Sequence, residues 1–161
     1  MNSELTKIKN IRSKKKFTIS LAESCTGGMI SKYLTSISGS SLFFNGACIS
    51  YSNKMKTSLL SVPKSTILNY GAVSHQTALA MTKGLKKITD SEIILSVTGV
   101  AGPGGGTAKT PVECVFFCIG SKVNKKYTFQ TTKKIFHEKT RIAIQKKSTE
   151  HAIYLILKEL K

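Results

Sequence analysis

An apolar, β-branched run at residues 17–22 leads through Glu23-Ser24-Cys25-Thr26-Gly27-Gly28 directly into Met29, Ile30, Tyr33, Leu34 and Ile37, which recur at helical spacing. A buried strand that becomes a helix within a few residues belongs to layered α/β architecture. The turn between them is unusual. Two glycines let backbone N–H groups approach a ligand, the helix start points its partial positive charge at the same place, and a hydroxyl and a thiol stand side by side there.

The remaining chain continues the alternation. Residues 1–16 are polar and basic and read as a helix or an arm. Ser38-Gly39-Ser40-Ser41 turns into an apolar strand at 42–51, and Asn53 caps a short helix carrying Met55, Leu59 and Leu60, closed by Pro63. Ser74 caps a helix through residue 87, with Ala78, Met81, Leu85 and Ile88 inward. A strand at 92–98 enters a glycine-rich stretch at 99–106. Strands at 111–119 and 126–132 form a hairpin over a turn at 120–124, and a helix at 140–160 lines up Ile142, Thr149, Ala152, Ile153, Ile156 and Leu160. The order β-α-β-α-α-β-β-β-α predicts a single three-layer α/β/α domain, residues 1–161, on a mixed β-sheet.

Composition removes several function classes. No apolar run approaches the ~20 residues of a membrane span. Lys14-Lys15-Lys16 followed by the 17–22 run imitates a secretory leader. That run is shorter than the roughly 7–15 residues such a segment needs, and Glu23 stands beside the would-be cleavage point, so the expectation is a cytoplasmic protein. The net charge of +17 is almost all lysine, with Arg12 and Arg141 the only arginines. Base readout favours arginine, so the chain is not read as a nucleic-acid binder, although it attracts small anions. Cys25, Cys48, Cys114 and Cys118 form no metal pattern and read as reduced thiols, with Cys114 and Cys118 on one face of a strand. Asp90 is the only aspartate, which leaves two-carboxylate chemistry little to build on.

Ser24, Tyr51 and Thr98 each stand at the end of an expected strand. If those strands are parallel neighbours the three hydroxyls converge, because open α/β sheets bind ligands beyond the carboxyl ends of their strands. His75, His137 and His151 lie in helical or turn contexts, and Ala22 and Thr26 stand where a nucleophile elbow has glycine, so a Ser-His-Asp triad is disfavoured. Lys56 is the better base. At the third position of a helix capped by Asn53, and one turn before Leu60, it is partly desolvated and opposed by the helix dipole, as in serine–lysine variants of the triad. Cys25 competes with Ser24 as nucleophile, since a helix N-terminus lowers a thiol's pKa, and spacing alone leaves the two open.

Taken together, Ala22-Glu23-Ser24-Cys25-Thr26-Gly27-Gly28, Gly39-Ser40-Ser41, Tyr51-Ser52-Asn53 with Lys56, Gly71-Ala72-Val73-Ser74 and Thr98-Gly99-Val100-Ala101-Gly102-Pro103-Gly104-Gly105-Gly106 resemble the CinA C-terminal domain family over residues 5–157. The resemblance implies deamidation of nicotinamide mononucleotide to nicotinate mononucleotide and ammonia, in pyridine nucleotide recycling, with neither metal nor cofactor, by a homodimer. It implies Ser24 as nucleophile, Lys56 as base, Tyr51 assisting proton transfer and Thr98 contacting substrate or nucleophile. The amides of Thr26, Gly27 and Gly28 are candidate oxyanion donors. Ser40, Ser41, Gly102, Gly104, Gly105 and Arg141 are candidates for holding the nucleotide. Two positions depart from the family pattern: Glu113 stands where glycine is usual, and Gln145 where a second arginine is usual. These departures support an alternative, a non-catalytic nucleotide-binding or regulatory module.

Overall fold

The computed structural model describes residues 2–161; Met1, included in the expected 1–161 domain and its 1–16 segment, lies outside the described residues. Six helices and five strands follow in the order α1 (Asn2–Lys14), β1 (Ile19–Glu23), α2 (Met29–Leu34), β2 (Phe44–Ile49), α3 (Asn53–Leu60), α4 (Lys64–Tyr70), α5 (His75–Ile88), β3 (Ile93–Gly99), β4 (Cys114–Val123), β5 (Lys126–Ile135) and α6 (Arg141–Glu159). The strands form one sheet in the order β2-β1-β3-β4-β5. β1 runs parallel to both β2 and β3, whereas β4 is antiparallel to β3 and to β5. The sheet is therefore mixed, and the fold is α/β as expected. Among the described residues no helix is long and apolar enough to cross a membrane.

Period-2 alternation assigns each strand residue to a face. Ile19 and Leu21 of β1, Leu95 and Val97 of β3, and Phe117 of β4 pack under Leu5 and Ile8 of α1, Ile30 and Leu34 of α2, and Ile153 and Ile156 of α6. On the opposite face Ala22 and Ile94 meet Leu60 of α3 and Met81 and Leu85 of α5, and Cys114 and Cys118 pack with Ala78. Both cysteines do share a face, and all four thiols are free. Helices thus cover the sheet on both sides, the third layer coming from α3 and α5.

Several boundaries differ from the sequence reading. Ser52, not Asn53, caps α3, its Oγ accepting the Met55 N–H, because Ser52 holds the extended backbone a cap requires. A further helix, α4, starts at Lys64, directly after Pro63, which stands at its cap position. β2 is confined to Phe44–Ile49 because a 3-10 turn at Ser40–Leu42 precedes it, and α2 ends at Leu34 rather than 37. The hairpin turns at Asn124-Lys125, both at positive φ, so β4 runs on through Gly120. Ile88 and Ile142 are exposed, each at a helix end beyond the edge of its core stripe.

His151 of α6 is wedged among Phe117, Phe136 and Tyr154, its buried Nε2 without a hydrogen-bond partner among the described residues. Burial, with the Lys134 ammonium nearby, lowers its pKa from 6.5 to about 4. Between those values the unfolded chain binds the extra proton, so stability is full above pH 6.5 and falls as pH drops toward 4. His151→Phe, which keeps the ring packing, should flatten that loss by on the order of 2 kcal/mol in urea unfolding at pH 5 against pH 7.5.

Candidate active site

Because β1, β2 and β3 are parallel neighbours, their carboxyl ends open together. Beyond them lies a pocket of about 260 Å³ whose lining includes Ser24, Cys25, Tyr51, Asn53, Lys56, Thr98, Gly102, Gly104, Gly105 and Arg141. The three strand-end hydroxyls therefore do meet at one cleft. The lining carries no carboxylate and no imidazole, since His75, His137 and His151 all lie outside it.

At its centre Lys56 Nζ lies 2.8 Å from Ser24 Oγ and donates to the carbonyls of Ser50, at 2.9 Å, and Tyr51, at 3.2 Å. Lys56 is 2% exposed and, among the described residues, pairs with no carboxylate. Burial accordingly holds its pKa below the usual 10.5. A neutral amine has two N–H donors and one lone pair. As an ammonium, Lys56 Nζ has a donor for Ser24 Oγ and for each of the two carbonyls; once deprotonated, with both remaining donors on the carbonyls, it turns its lone pair to the Ser24 hydroxyl.

Alternation along β1 separates the neighbouring groups. Ser24 turns toward α3, whereas Glu23 and Cys25 turn toward α2 and α6. Burial pushes the Cys25 thiol up to about 12, which keeps it protonated. Glu23, fully buried, accepts five hydrogen bonds: the Thr26 hydroxyl at 2.6 Å, the amides of Gly28, Ile30 and Ser31, and the Ser31 hydroxyl. The sequence reading did not assign Glu23 a role. Its signal was a lone carboxylate closing an otherwise apolar strand, three residues before Thr26.

These bonds redistribute the expected ligand-binding groups. The Gly27 N–H is given to the Ser24 carbonyl, and the Gly28 N–H and Thr26 hydroxyl to Glu23, so neither glycine is open to a ligand. The amides of Cys25 and Thr26 are the ones in this turn with no backbone carbonyl or carboxylate acceptor among the described residues. Ser40 and Ser41 are not brought to the pocket. Their turn precedes β2, whose Phe44 pairs with Ile19 at the amino end of β1, the far end of the sheet from Ser24. The Thr98 hydroxyl donates to the Ala72 carbonyl at 2.8 Å, tying the segment before α5 to the pocket wall.

Arg141, at the start of α6 where the Thr140 hydroxyl caps the helix, donates to the Gly102 carbonyl at 2.9 Å and the Tyr51 hydroxyl at 2.6 Å. Gly102 and Gly105 take positive φ, and a Cβ at Gly102 would come within 2.6 Å of the Val112 side chain, so only glycine lets this loop fold back on the pocket. Glu113 is itself at φ 76, a left-handed conformation that glycine adopts without strain.

Known proteins resemble the chain in sequence and in fold. The sequence model of the CinA C-terminal domain matches residues 2–160. A CinA-like protein of Pseudothermotoga lettingae is 41% identical over 145 residues, covering 90% of this chain and 34% of its own length. One of Leptospira biflexa is 43% identical over 147 residues, with 91% and 34% covered. The chain thus spans about a third of the length of these relatives. Among solved structures, the competence/damage inducible protein CihA of Agrobacterium tumefaciens has a TM-score of 0.91 at 31% identity, covering 99% of this chain and 94% of that one. The ComA protein of Klebsiella pneumoniae, 23% identical with 98% and 95% covered, has the same fold at a TM-score of 0.88.

Proposed function

The chain belongs to the CinA C-terminal domain family, and from that premise we propose that it is a serine–lysine amidohydrolase that deamidates nicotinamide mononucleotide. The observation that carries the reading is the buried Lys56 amine, anchored on two carbonyls with its third direction on Ser24 Oγ at 2.8 Å. Lys56 takes the hydroxyl proton as Ser24 Oγ bonds to the carboxamide carbon. The negative oxygen that develops faces the amides of Cys25 and Thr26. Lys56 then passes its proton to the departing nitrogen, the C–N bond breaks and ammonia leaves, so that the acyl group remains as an ester on Ser24. Water, deprotonated by Lys56, attacks the ester, and the carboxylate departs as Ser24 regains a proton.

Tyr51 and Arg141 flank the mouth of the pocket as a bonded pair. Arg141 is the only cation other than Lys56 in the lining, so it and the amides of Gly104 and Gly105 take the substrate phosphate. Thr98 keeps the wall beside the nucleophile in place through its bond to Ala72. The protein is read as acting in the cytoplasm as a homodimer, on a small nucleotide, without metal or cofactor, and with residues 1–161 as one domain.

The test is to incubate purified protein with nicotinamide mononucleotide and related pyridine nucleotides, measuring ammonia and nicotinate mononucleotide together. Equal amounts of the two, with kcat/KM rising with pH to a plateau as Lys56 loses its proton below 10.5, are expected. Saturable binding without ammonia release would replace the enzyme reading by a non-catalytic module.

A further inference from the structure

Two side chains of α6, one helical turn apart, reach back to the loops of the site. Arg141 holds Gly102 and Tyr51, as described. Gln145 donates its Nε2–H to the Cys25 carbonyl at 2.8 Å, joining residues 120 positions apart in the chain. Gln145 is half-buried and is not among the residues that line the pocket. The Cys25 carbonyl belongs to the same planar peptide as the Thr26 N–H, so holding one end of that plane aims the other.

We propose that Gln145 is a positioning residue: its bond to the Cys25 carbonyl fixes the Cys25–Thr26 peptide plane, and with it the placement of Ser24 Oγ against Lys56 and of the Thr26 amide toward the developing oxyanion. The inference rests on the nucleophilic role proposed for Ser24. No other side chain is bonded to the Cys25 carbonyl among the described residues, so the far helix is the restraint on that peptide from outside its own turn. Without it the turn tilts about its glycines. A displacement on the order of 1 Å at a reacting atom costs about 100-fold in rate. Substrate affinity, set by groups that Gln145 does not touch, stays the same.

The experiment compares wild type with Gln145→Glu and Gln145→Met, which have no N–H to give, and Gln145→Arg, which keeps a planar N–H donor. Two readouts are taken on folded, monodisperse protein: steady-state deamidation of nicotinamide mononucleotide, and the second-order rate at which a fluorophosphonate probe labels Ser24, which does not depend on the natural substrate. The donor-less variants should lose about 10- to 100-fold in kcat and in labelling rate with KM within about 2-fold, while Gln145→Arg recovers most of the loss. A purely structural role would lower the thermal midpoint and leave the labelling rate of the folded fraction unchanged, and that result overturns the proposal. Equal losses in Gln145→Arg overturn it as well. If wild type is labelled but releases no ammonia, the nucleotide reading fails and Gln145 is judged on labelling alone. If wild-type Ser24 is not labelled, both readings fall.

Discussion

Ser24→Ala and Lys56→Met should each lower kcat by about 10³-fold or more, and the double variant should be no slower than the worse single one. The two side chains act as one unit, because a hydroxyl without a base and a base without a hydroxyl leave the same residual catalysis from binding and backbone donors. Lys56→Arg separates a base from a mere positive charge: guanidinium remains protonated at any working pH, so that variant should be as inactive as Lys56→Met. An active Lys56→Arg enzyme would remove the proton-transfer role. Stability is expected to move little. The folded pKa of Lys56 is lowered, so the unfolded chain holds more protons between that value and 10.5, and stability rises with pH across the window. At neutral pH burial of this group is a net cost. Lys56→Met relieves that cost but leaves the Ser50 and Tyr51 carbonyls short of a donor, each worth about 1 kcal/mol. Urea unfolding should therefore place Lys56→Met within about 2 kcal/mol of wild type, and its activity loss is then not a folding defect.

What could be read from sequence divides along a physical line. Strand ends are local events. Three apolar runs stop at Ser24, Tyr51 and Thr98, and once the strands lie parallel their ends share one edge of the sheet. The inward direction of Lys56 is also local, because it stands one turn before Leu60 and both are buried. The depth of its burial is not local: its Nζ is enclosed by Ser24 after β1 and by the Ser50 and Tyr51 carbonyls after β2, which strand pairing brings together. Ser40 and Ser41 show the opposite case. Their spacing gives no hint that the chain must run the length of β2 before reaching the cleft, so two hydroxyls beside a glycine turn end up at the wrong end of the sheet.

Ser52 and Asn53 are both competent caps, and only the extended backbone at Ser52 decides between them. α4 is seven residues long and begins just after a proline, so its periodicity is too short to stand out. Gln145 read as the loss of an arginine, because a bond to a carbonyl 120 residues away has no sequence signature. Glu23 was hidden for a related reason: a carboxylate at a strand end looks like the point where the chain meets water, yet this one is 0% exposed.

That burial makes Glu23 the site of the second large effect. Glu23→Ala should destabilise the fold by on the order of 3–5 kcal/mol, because it leaves three amide and two hydroxyl donors without their acceptor around a buried position. Its carboxylate stands in for a capping side chain at the start of α2, where Gly28 has none, and collects three amides and two hydroxyls. Glu23→Gln keeps the volume and one acceptor oxygen but turns an NH₂ toward donors, and should cost about half as much. Amide exchange distinguishes lost capping from general loosening. In Glu23→Gln the amides of Gly28, Ile30 and Ser31 should exchange faster by more than the global loss of stability accounts for, while those of Ile94 and Leu95 in β3 follow the global change. Uniform acceleration throughout would mean that the carboxylate does not organise the turn. Because the same turn carries Ser24, fluorophosphonate labelling of folded Glu23→Gln should also slow, which links the anchor beneath the helix to the hydroxyl above it.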